Sequence, residues 1–270
     1  MKERILGLPK ELLANRRLIL SLAKNDFKTK YAGSYLGIAW AFVQPVITVL
    51  VYWIVFDLIF KSGETGNMPF VLYLVSGIVP WFFFSDALLG GTNALIEYSY
   101  LVKKVVFKIS VLPIVKIISA LFVHIFFTCF AVLLSTIYGY YPSVYILQVV
   151  YYAVCAFVFV LALVYATSAI VVFFRDLTQI INIMLQVLIW MTPIMWEPEL
   201  ALADYPTIVQ LLRLNPMYYI VNGYRDSIVR HVWFWQHWKW SLYFWVITAI
   251  LFTIGAVIFK RLKVHFADVL

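Results

Sequence analysis

The stretch that decides the fold reads IAWAFVQPVITVLVYWIVF and occupies residues 38–56. It carries no charged side chain, and it is long enough for a helix to cross a bilayer, which takes about 20 apolar residues. Amide, hydroxyl and aromatic side chains recur in it every four residues, a spacing that predicts a stripe along one helix face. Because buried amides need hydrogen-bonding partners, such a stripe favours a seam between helices or a passage for a polar, ring-stacking molecule. The stripe consists of Trp40, Gln44, Thr48 and Tyr52.

A second apolar run, residues 177–195, carries a stripe of the same kind. Its polar and aromatic side chains are spaced by three, four and four residues, which again places them on one face of a helix. Two such stripes in one chain indicate a conduit. The second stripe consists of Gln179, Asn182, Gln186 and Trp190, and we expect it to line the conduit together with the first.

The composition places the chain in a bilayer. Hydrophobic residues make up 64% of the sequence and charged residues only 13%, whereas a soluble domain carries about 25% charged residues. The apolar runs lack the strict two-residue alternation of a membrane β-barrel. We therefore predict an all-α integral membrane protein with six transmembrane helices. The predicted spans are residues 38–56, 70–87, 117–138, 144–174, 177–195 and 240–259.

Six spans put both termini on one side of the membrane, and the basic residues indicate which side. Most of the 21 Lys and Arg residues fall on the side of the N-terminus, and cytoplasmic loops carry such an excess. Both termini are therefore predicted to be cytoplasmic. The net charge of +8 reflects this bias, so we expect membrane lipids, and no nucleic acid, as partners. The same topology places Asp57 and Asp86 in outer, solvated regions.

The N-terminal segment, residues 11–31, has the pattern of an amphipathic helix at the cytoplasmic membrane surface. Leu12, Ile19, Ala23 and Phe27 share one side, and basic side chains on the other side can reach phospholipid head groups. We treat residues 1–34 as a cytoplasmic gate helix and residues 35–270 as the six-span domain. The alternative is a basic tail that only orients the protein.

Two regions outside the spans are too apolar to be plain loops. Residues 97–113 mix apolar and basic side chains, which suits a short cytoplasmic helix that docks a soluble partner or, alternatively, a helix on the membrane surface. Residues 208–214 and 217–228 lie between the fifth and sixth spans and are largely apolar. We expect them to form re-entrant or interfacial helices on the outer side, because such short apolar segments need protein around them.

Catalytic and metal-binding patterns do not occur in the sequence. There is no phosphate loop of the form GxxxxGK followed by Ser or Thr, so ATP hydrolysis would need a separate chain. The four histidines are scattered without metal-ligand spacing, and we expect His124 to be hydrogen-bonded inside the bundle or, alternatively, to act in a proton relay. The neighbours Arg175 and Asp176 lie either in a solvated turn or in a substrate-facing or interhelical ion pair, and Arg225 and Asp226 are interpreted in the same way. The sequence predicts no catalytic residue, no metal and no cofactor in this chain.

Five motifs in a fixed order carry a family resemblance. They are YLGIAWAFVQP (35–45), GIVPWFFF (77–84), LVKKV (101–105), FFRD (173–176) and NPMYY (215–219). With the six spans and the amphipathic helix, the chain resembles the permease subunit of type-2 ABC exporters for cell-surface polysaccharides: O-antigen, capsule and wall teichoic acid. The segments GYRDS (223–227) and HFADVL (265–270) are most similar to the teichoic acid branch. One departure is Lys108, where many relatives have Pro.

The resemblance implies a complete exporter around this chain. It implies a second copy of the permease, two copies of an ABC ATPase subunit that hold ATP and Mg, and a channel at the permease–permease interface. The substrate would be a polyprenyl-pyrophosphate-linked glycan, and the location the bacterial cytoplasmic (inner) membrane. Two other classes stay open: a membrane-embedded transferase acting on lipid-linked glycans, and a passive channel or scaffold.

Two further groups of site residues follow for such an exporter. The ATPase-coupling contact is expected at Tyr98, Leu101, Val102, Lys103, Lys104, Val105 and Phe107. The pyrophosphate of the carrier lipid is expected to enter past basic residues, because a guanidinium can hold phosphate in a two-pronged contact that lysine only approximates. These residues are Arg16, Arg17, Lys28, Lys30 and Arg175.

Overall fold

A computed structural model of the protein describes residues 15–60, 64–65, 68–102 and 108–270, which form a helix bundle with one short hairpin. The hairpin pairs β1 (Glu64–Thr65) with β2 (Met68–Pro69) in antiparallel orientation. The α-helices in chain order are α1 (Arg16–Lys30), α2 (Trp40–Trp53), α3 (Phe70–Glu97), α4 (Ser99–Val102), α5 (Leu112–Ile137), α6 (Gln148–Val171), α7 (Leu177–Met191), α8 (Pro198–Ala201), α9 (Pro206–Arg213), α10 (Pro216–Arg225), α11 (Trp238–Leu262) and α12 (Phe266–Val269).

Five helical segments of the described chain are long and apolar enough to cross a membrane, which confirms an all-α integral membrane protein. They contain α2, α3, α5, α6 and α11, and short 3-10 or π-helical turns extend all of them except α3. Their bounds are Gly37–Ile59, Phe70–Glu97, Ile109–Ile137, Val144–Val171 and Phe234–His265.

The predicted fifth span is a shorter helix than expected. Helix α7 begins at Leu177, as predicted, but it ends at Met191 after 15 residues. At 1.5 Å per residue it measures about 22 Å, less than the roughly 30 Å of a hydrocarbon core. The reason is Pro193, because the residue before a proline avoids the helical region; Thr192 is extended, with φ −97° and ψ 113°.

Helix α3 is the centre of the bundle. Of the 18 most apolar consecutive residues of α3, 78% are buried, whereas none is buried in the corresponding stretch of the span that contains α2. It packs against α2, α5, α6, α7 and α10. The approach to α6 is close at Gly91, where an added Cβ would lie 2.7 Å from Cγ1 of Val164. Small residues of this kind let membrane helices approach closely.

Helix α3 also continues beyond the predicted end of the second span at residue 87. Polar side chains in its last four turns find partners within the fold: Ser85 Oγ donates to the Trp81 carbonyl at 3.0 Å, and Lys30 Nζ lies 2.5 Å from Asp86 Oδ1. Asp86 therefore lies at the same end of the bundle as α1, whereas the sequence predicts the two on opposite sides. Its side chain is 39% exposed, as expected of a solvated residue. The third span likewise begins at Ile109 rather than at residue 117.

The connection between α7 and α11 forms the expected short apolar helices. Helices α9 and α10 match the predicted segments 208–214 and 217–228. Asn215 caps α10, since its Oδ1 accepts a 3.0 Å hydrogen bond from the Met217 N–H, and Pro216 occupies the first helical position, where no N–H is needed. Helix α10 packs against α3 and α6, and most of its side chains are buried. Protein therefore surrounds this short helix.

Candidate functional site

The stripe on α2 lines a cavity between α2, α3 and α5. Trp40, Gln44 and Thr48 share this space of about 320 Å³ with His124 of α5. Thr48 Oγ1 donates to the Gln44 carbonyl at 3.0 Å, so that its hydroxyl is satisfied within the helix. Tyr52 instead packs against the hydrophobic core. The structure therefore brings three of the four predicted residues to one wall.

The stripe on α7 lies on the open surface of the single chain. Gln179, Gln186 and Trp190 are exposed and Asn182 is half-buried. The opposite face of α7 is buried and packs on α3. A 2.7 Å hydrogen bond from Thr178 Oγ1 to Asn93 Oδ1 fixes the start of α7 to α3. Both stripes thus flank the same central helix.

Helix α1 has the amphipathic form that its sequence predicts. Ile19 and Ala23 are buried, and the ring of Phe27 meets that of Phe122 edge to face at 5.7 Å. Arg16, Arg17 and Lys28 are exposed on the other side, and Arg175 is exposed in the turn after α6. All five residues predicted for pyrophosphate entry, Lys30 included, are therefore exposed on the surface of the single chain.

A second cavity of about 460 Å³ lies beneath α1 and adjoins the first, with Lys30 and Asp86 lining both. Lys30, the remaining basic residue of that group, pairs with Asp86 across this boundary. Burial alone would lower the pKa of Lys30, but the carboxylate of Asp86 raises it above the ordinary value. A polar cavity beneath α1 thus adjoins the one lined by the ring of Trp40 and the amide of Gln44.

A buried ion cluster holds α1 against the bundle in this second cavity. Lys116 Nζ of α5 lies 2.6 Å from Asp26 Oδ1 and also bonds Glu97 at the end of α3. The Tyr98 hydroxyl donates to Asp26 Oδ1 at 2.7 Å. Burial, together with this hydrogen bond, raises the pKa of Tyr98. Because a buried carboxylate is costly without partners, Asp26 holds α1 in place through α5 and residue 98.

The described part of the coupling segment begins directly at this cluster. Val102 is buried, Leu101 packs against the core and Tyr100 is exposed. Lys103, Lys104, Val105 and Phe107 lie outside the described residues. The segment therefore starts on the side of the molecule that carries α1.

Arg225 is a fully buried arginine that sequence reasoning misinterpreted. It is neither in a solvated turn nor in an ion pair with Asp226. Its guanidinium donates to the carbonyls of Pro193 at 2.8 Å, Ile194 at 3.0 Å and Tyr73 at 3.3 Å. These bonds join α10 to α3 and to the turn after α7. The segment GYRDS (223–227) marks Arg225 in the sequence. The sequence does not show that the partners of this arginine lie at residues 73, 193 and 194.

Room for that guanidinium comes from a glycine on α3. A Cβ at Gly77 would lie 2.8 Å from Nη2 of Arg225. The same region contains His124, whose Nε2 lies 2.7 Å from the hydroxyl of Tyr224. The prediction that His124 is hydrogen-bonded inside the bundle is therefore confirmed.

A third cavity lies at the end of the bundle opposite α1, beside α10. It has a volume of about 260 Å³ and is lined by tyrosine and tryptophan rings and by charged side chains. Asp226 lies here, 3.5 Å from Arg230 Nη1 and 3.6 Å from His237 Nε2. Burial raises the pKa of Asp226 above its ordinary value, although these neighbours oppose the shift. Among the described residues, no group of three or more His, Cys, Asp or Glu side chains could hold a metal ion.

Comparison with known proteins gives consistent matches. Residues 17–229 match the family described as ABC-2 type transporter. The chain is 30% identical over 227 residues to the O-antigen export system permease protein RfbA of Myxococcus xanthus, which covers 84% of this chain and 86% of that protein. A protein of the same name from Klebsiella pneumoniae is 24% identical over 258 residues, covering 94% of this chain and 95% of the relative.

Proposed function

Because the chain belongs to the ABC-2 type transporter family, we propose that it is the membrane-spanning subunit of an ATP-driven exporter of a polyprenyl-pyrophosphate-linked polysaccharide. It is a multi-pass integral membrane protein of the bacterial inner membrane. The polysaccharide would pass from the cytoplasm to the outer face of that membrane. ATP and Mg would bind to a separate ABC ATPase subunit, present in two copies.

The substrate class proposed first is an O-antigen-type polysaccharide. The names of the relatives given above support it. A teichoic acid is a second candidate, supported by the segments at 223–227 and 265–270. The two polymers differ in charge, since a teichoic acid carries a phosphate in each repeat. A comparison of neutral and phosphate-containing substrates therefore distinguishes the two candidate polymers.

The observation that carries the proposal is the pair of adjoining cavities, which share Lys30 and Asp86 and of which the one between α2, α3 and α5 is lined by Trp40 and Gln44. A tryptophan ring can stack on the apolar face of a sugar, while amide and hydroxyl groups exchange hydrogen bonds with sugar hydroxyls. Many weak and replaceable contacts of this kind suit a polymer that must slide.

The channel itself is proposed to form between two copies of the chain. The most apolar part of α2 contains no fully buried residue, and the polar stripe of α7 has no cover in the single chain. A two-fold axis would place the same surfaces of two copies against each other. In that arrangement α7 with its following turn serves as the fifth of six spans, and both termini are cytoplasmic.

Helix α1 is proposed as the gate and residues 98–107 as the docking site of the ATPase. The contact of Asp26 with Lys116 and Tyr98 joins the proposed gate to the first residue of the docking segment. A movement of that segment would therefore reach α1 directly. The basic face of α1 and Arg175 would meet the pyrophosphate as the lipid-linked substrate enters.

The test is export by the permease reconstituted in vesicles with its ATPase subunit and a lipid-linked glycan. Leu101→Asp combined with Phe107→Asp should uncouple ATP hydrolysis from export. Tyr141→Asp, in the exposed turn between α5 and α6, is the matched control and should leave export intact. Export without any ATPase subunit would contradict the proposal, and transfer of sugar between lipid carriers by the permease alone would support the transferase alternative.

A further inference from the structure

The third cavity, at the end of the bundle opposite α1, combines aromatic rings with charged groups. Tyr152 of α6, Tyr219 of α10 and Trp240 of α11 all line it. The hydroxyl of Tyr219 is held by Ser241 Oγ at 2.8 Å and lies 3.1 Å from that of Tyr151. Tyr152 and Tyr219 are buried, so they fix the shape of the cavity wall. The half-buried ring of Trp240 offers the flat apolar surface on which a sugar ring can stack.

Two of the three carboxylates that line the cavity belong to different elements. Glu199 of α8 accepts hydrogen bonds from Arg213 at 2.8 Å and from the Tyr218 hydroxyl at 3.2 Å. Asp226 is only 5% exposed. Its distances to Arg230 and His237, 3.5 and 3.6 Å, exceed the roughly 3.2 Å limit of a good hydrogen bond. A carboxylate can accept about four hydrogen bonds, so Asp226 keeps acceptor capacity for a hydroxyl group placed in the cavity.

The charges lining the cavity show no positive excess. Three carboxylates face two guanidinium groups and one imidazole. A phosphate would bring negative charge close to those carboxylates, and phosphate sites are instead built from an excess of donors and positive charge. Neutral hydroxyl groups can both donate to the carboxylates and accept from the guanidinium groups. The lack of a positive excess therefore favours a neutral polyhydroxylated ligand.

We propose that this cavity binds one neutral sugar unit of the exported glycan, on the outer side of the membrane. The proposal rests on the exporter function proposed above. At about 260 Å³ the cavity is slightly smaller than the pockets of roughly 300 Å³ and more that hold drug-sized ligands, which suits one ring rather than a chain. The lack of a positive excess in the cavity selects an O-antigen-type glycan over a phosphate-rich polymer. A holding site at the exit would bias the polymer against sliding back.

Binding can be measured on the full-length permease without the ATPase subunit. The purified protein in lipid nanodiscs is titrated with methyl glycosides of the common hexoses, deoxyhexoses and N-acetylhexosamines, and saturation-transfer NMR detects contact. We expect at least one neutral glycoside to bind. Trp240→Ala and Asp226→Asn should each weaken that binding about tenfold or more, equivalent to about 1.4 kcal/mol.

Trp238→Ala is the matched control, because Trp238 lies on the same first turn of α11 but is exposed, outside the cavity. It should bind like the unchanged protein. Gel filtration and thermal unfolding check that each variant is folded. If Trp240→Ala does not fold, Trp240→Phe keeps an aromatic ring and should bind with intermediate strength.

Several outcomes would overturn the proposal. They are the absence of binding for every neutral glycoside, equal binding by all variants, and stronger binding of glucose 6-phosphate than of glucose. Displacement of the glycoside by glycerophosphoethanolamine would assign the cavity to a lipid head group instead. If the glycoside binds as predicted while the permease exports no glycan with its ATPase, the exporter function fails and the sugar site stands.

Discussion

The guanidinium carbon of Arg225 lies 3.5 Å from the centre of the Tyr73 ring. The two residues belong to α10 and α3, and the same guanidinium reaches the turn after α7. A cation over an aromatic face is attracted by the ring quadrupole, most strongly where water is excluded. One side chain therefore joins three elements at the end of the bundle that contains the proposed sugar site.

Removal of this guanidinium should destabilise the permease strongly. Arg225→Met removes the guanidinium donor from the buried carbonyls of Tyr73, Pro193 and Ile194, and we expect the free energy of unfolding to fall by about 3–5 kcal/mol. Arg225→Lys keeps a positive charge but offers a less suitable donor geometry, so its loss of stability should lie between those of the unchanged protein and Arg225→Met. Thermal unfolding of the purified protein measures both. Arg213→Lys, in a half-exposed pair, should change stability by about 1 kcal/mol or less.

Close helix contacts predict which glycines tolerate a methyl group. At Gly255 of α11 an added Cβ would lie 2.6 Å from the backbone carbonyl oxygen of Ala162 in α6. Backbone atoms cannot move aside cheaply, so Gly255→Ala should cost about 1–3 kcal/mol. At Gly90 the nearest atom would be 3.9 Å away, and Gly90→Ala should leave the melting temperature unchanged or slightly raised. Equal melting temperatures for the two variants would contradict the close packing of α11 on α6.

Protonation of Asp226 at acidic pH should stabilise the folded protein. Because burial raises the pKa of Asp226 in the folded state, the folded protein binds this proton more tightly than the unfolded chain. Stability from this group therefore increases as pH falls through the folded-state pKa toward the ordinary value of 3.8, and it is lost again as pH rises. Arg230, His237 and Arg225 oppose the shift without reversing it.

The measurement is the melting temperature of the unchanged protein minus that of Asp226→Asn, followed from neutral to acidic pH. The difference should grow on acidification, since the amide that replaces the carboxyl group in the variant does not titrate. Other titrating groups, including Glu199 with its opposite shift, are present in both proteins and cancel. A difference that stays constant or shrinks would show that Asp226 is not desolvated.

Local patterns predicted the helices and two of their faces. Spacing alone placed Trp40, Gln44 and Thr48 on one side of α2, and the structure puts them in one cavity. The amphipathic form of α1 was equally visible, because periodicity within a helix depends only on neighbours in sequence. The exposed position of the α7 stripe agrees with a seam but does not test it.

Long-range contacts could not be predicted in this way. Asp26 pairs with Lys116, and Arg225 bonds the carbonyl of Tyr73, partners far apart in the chain. Spacing contains no information on such pairs, so the sequence predicts only a solvated turn or an ion pair for Arg225 and Asp226. The predicted end of the second span at residue 87 is too early for a different reason. The average hydropathy falls at the first polar residues, and the predicted span ends there. Helix α3 itself continues, because those residues form hydrogen bonds or ion pairs within the fold.

The contact between Asp26 and Lys116 should keep α1 on the bundle. Asp26→Asn removes a charged acceptor from Lys116 and Tyr98, and we expect a local loss of about 2 kcal/mol. Hydrogen exchange of residues 16–30 should become faster, and trypsin should cleave at Lys24 and Lys28 more readily. Thr29→Ala is the control, because that hydroxyl bonds only carbonyls of its own helix, Asn25 and Asp26. Unchanged exchange in Asp26→Asn would show that apolar contacts alone hold α1.

The basic and aromatic positions should affect different steps of export. Arg175→Ala combined with Lys28→Ala removes two exposed charges where the pyrophosphate is proposed to enter, and it should reduce substrate-stimulated ATPase activity more than basal activity. Lys30 is not substituted, because its substitution would also break the ion pair with Asp86 and the two effects would not be separable. Lys260→Ala, another exposed basic residue, is the control and should leave stimulation unchanged.

Trp40→Ala and Trp190→Ala should instead preserve stimulation and slow the appearance of glycan outside the vesicle. Their rings are proposed to contact the sugar chain after entry, and loss of one stacked ring costs about 0.5–1.5 kcal/mol per contact. Trp238→Ala, an exposed ring outside both stripes, controls for loss of a tryptophan in itself. If the charge variants left stimulation unchanged, their role would be to orient the protein in the membrane. If both ring variants exported at the normal rate, the stripes on α2 and α7 would be packing surfaces rather than walls of the channel.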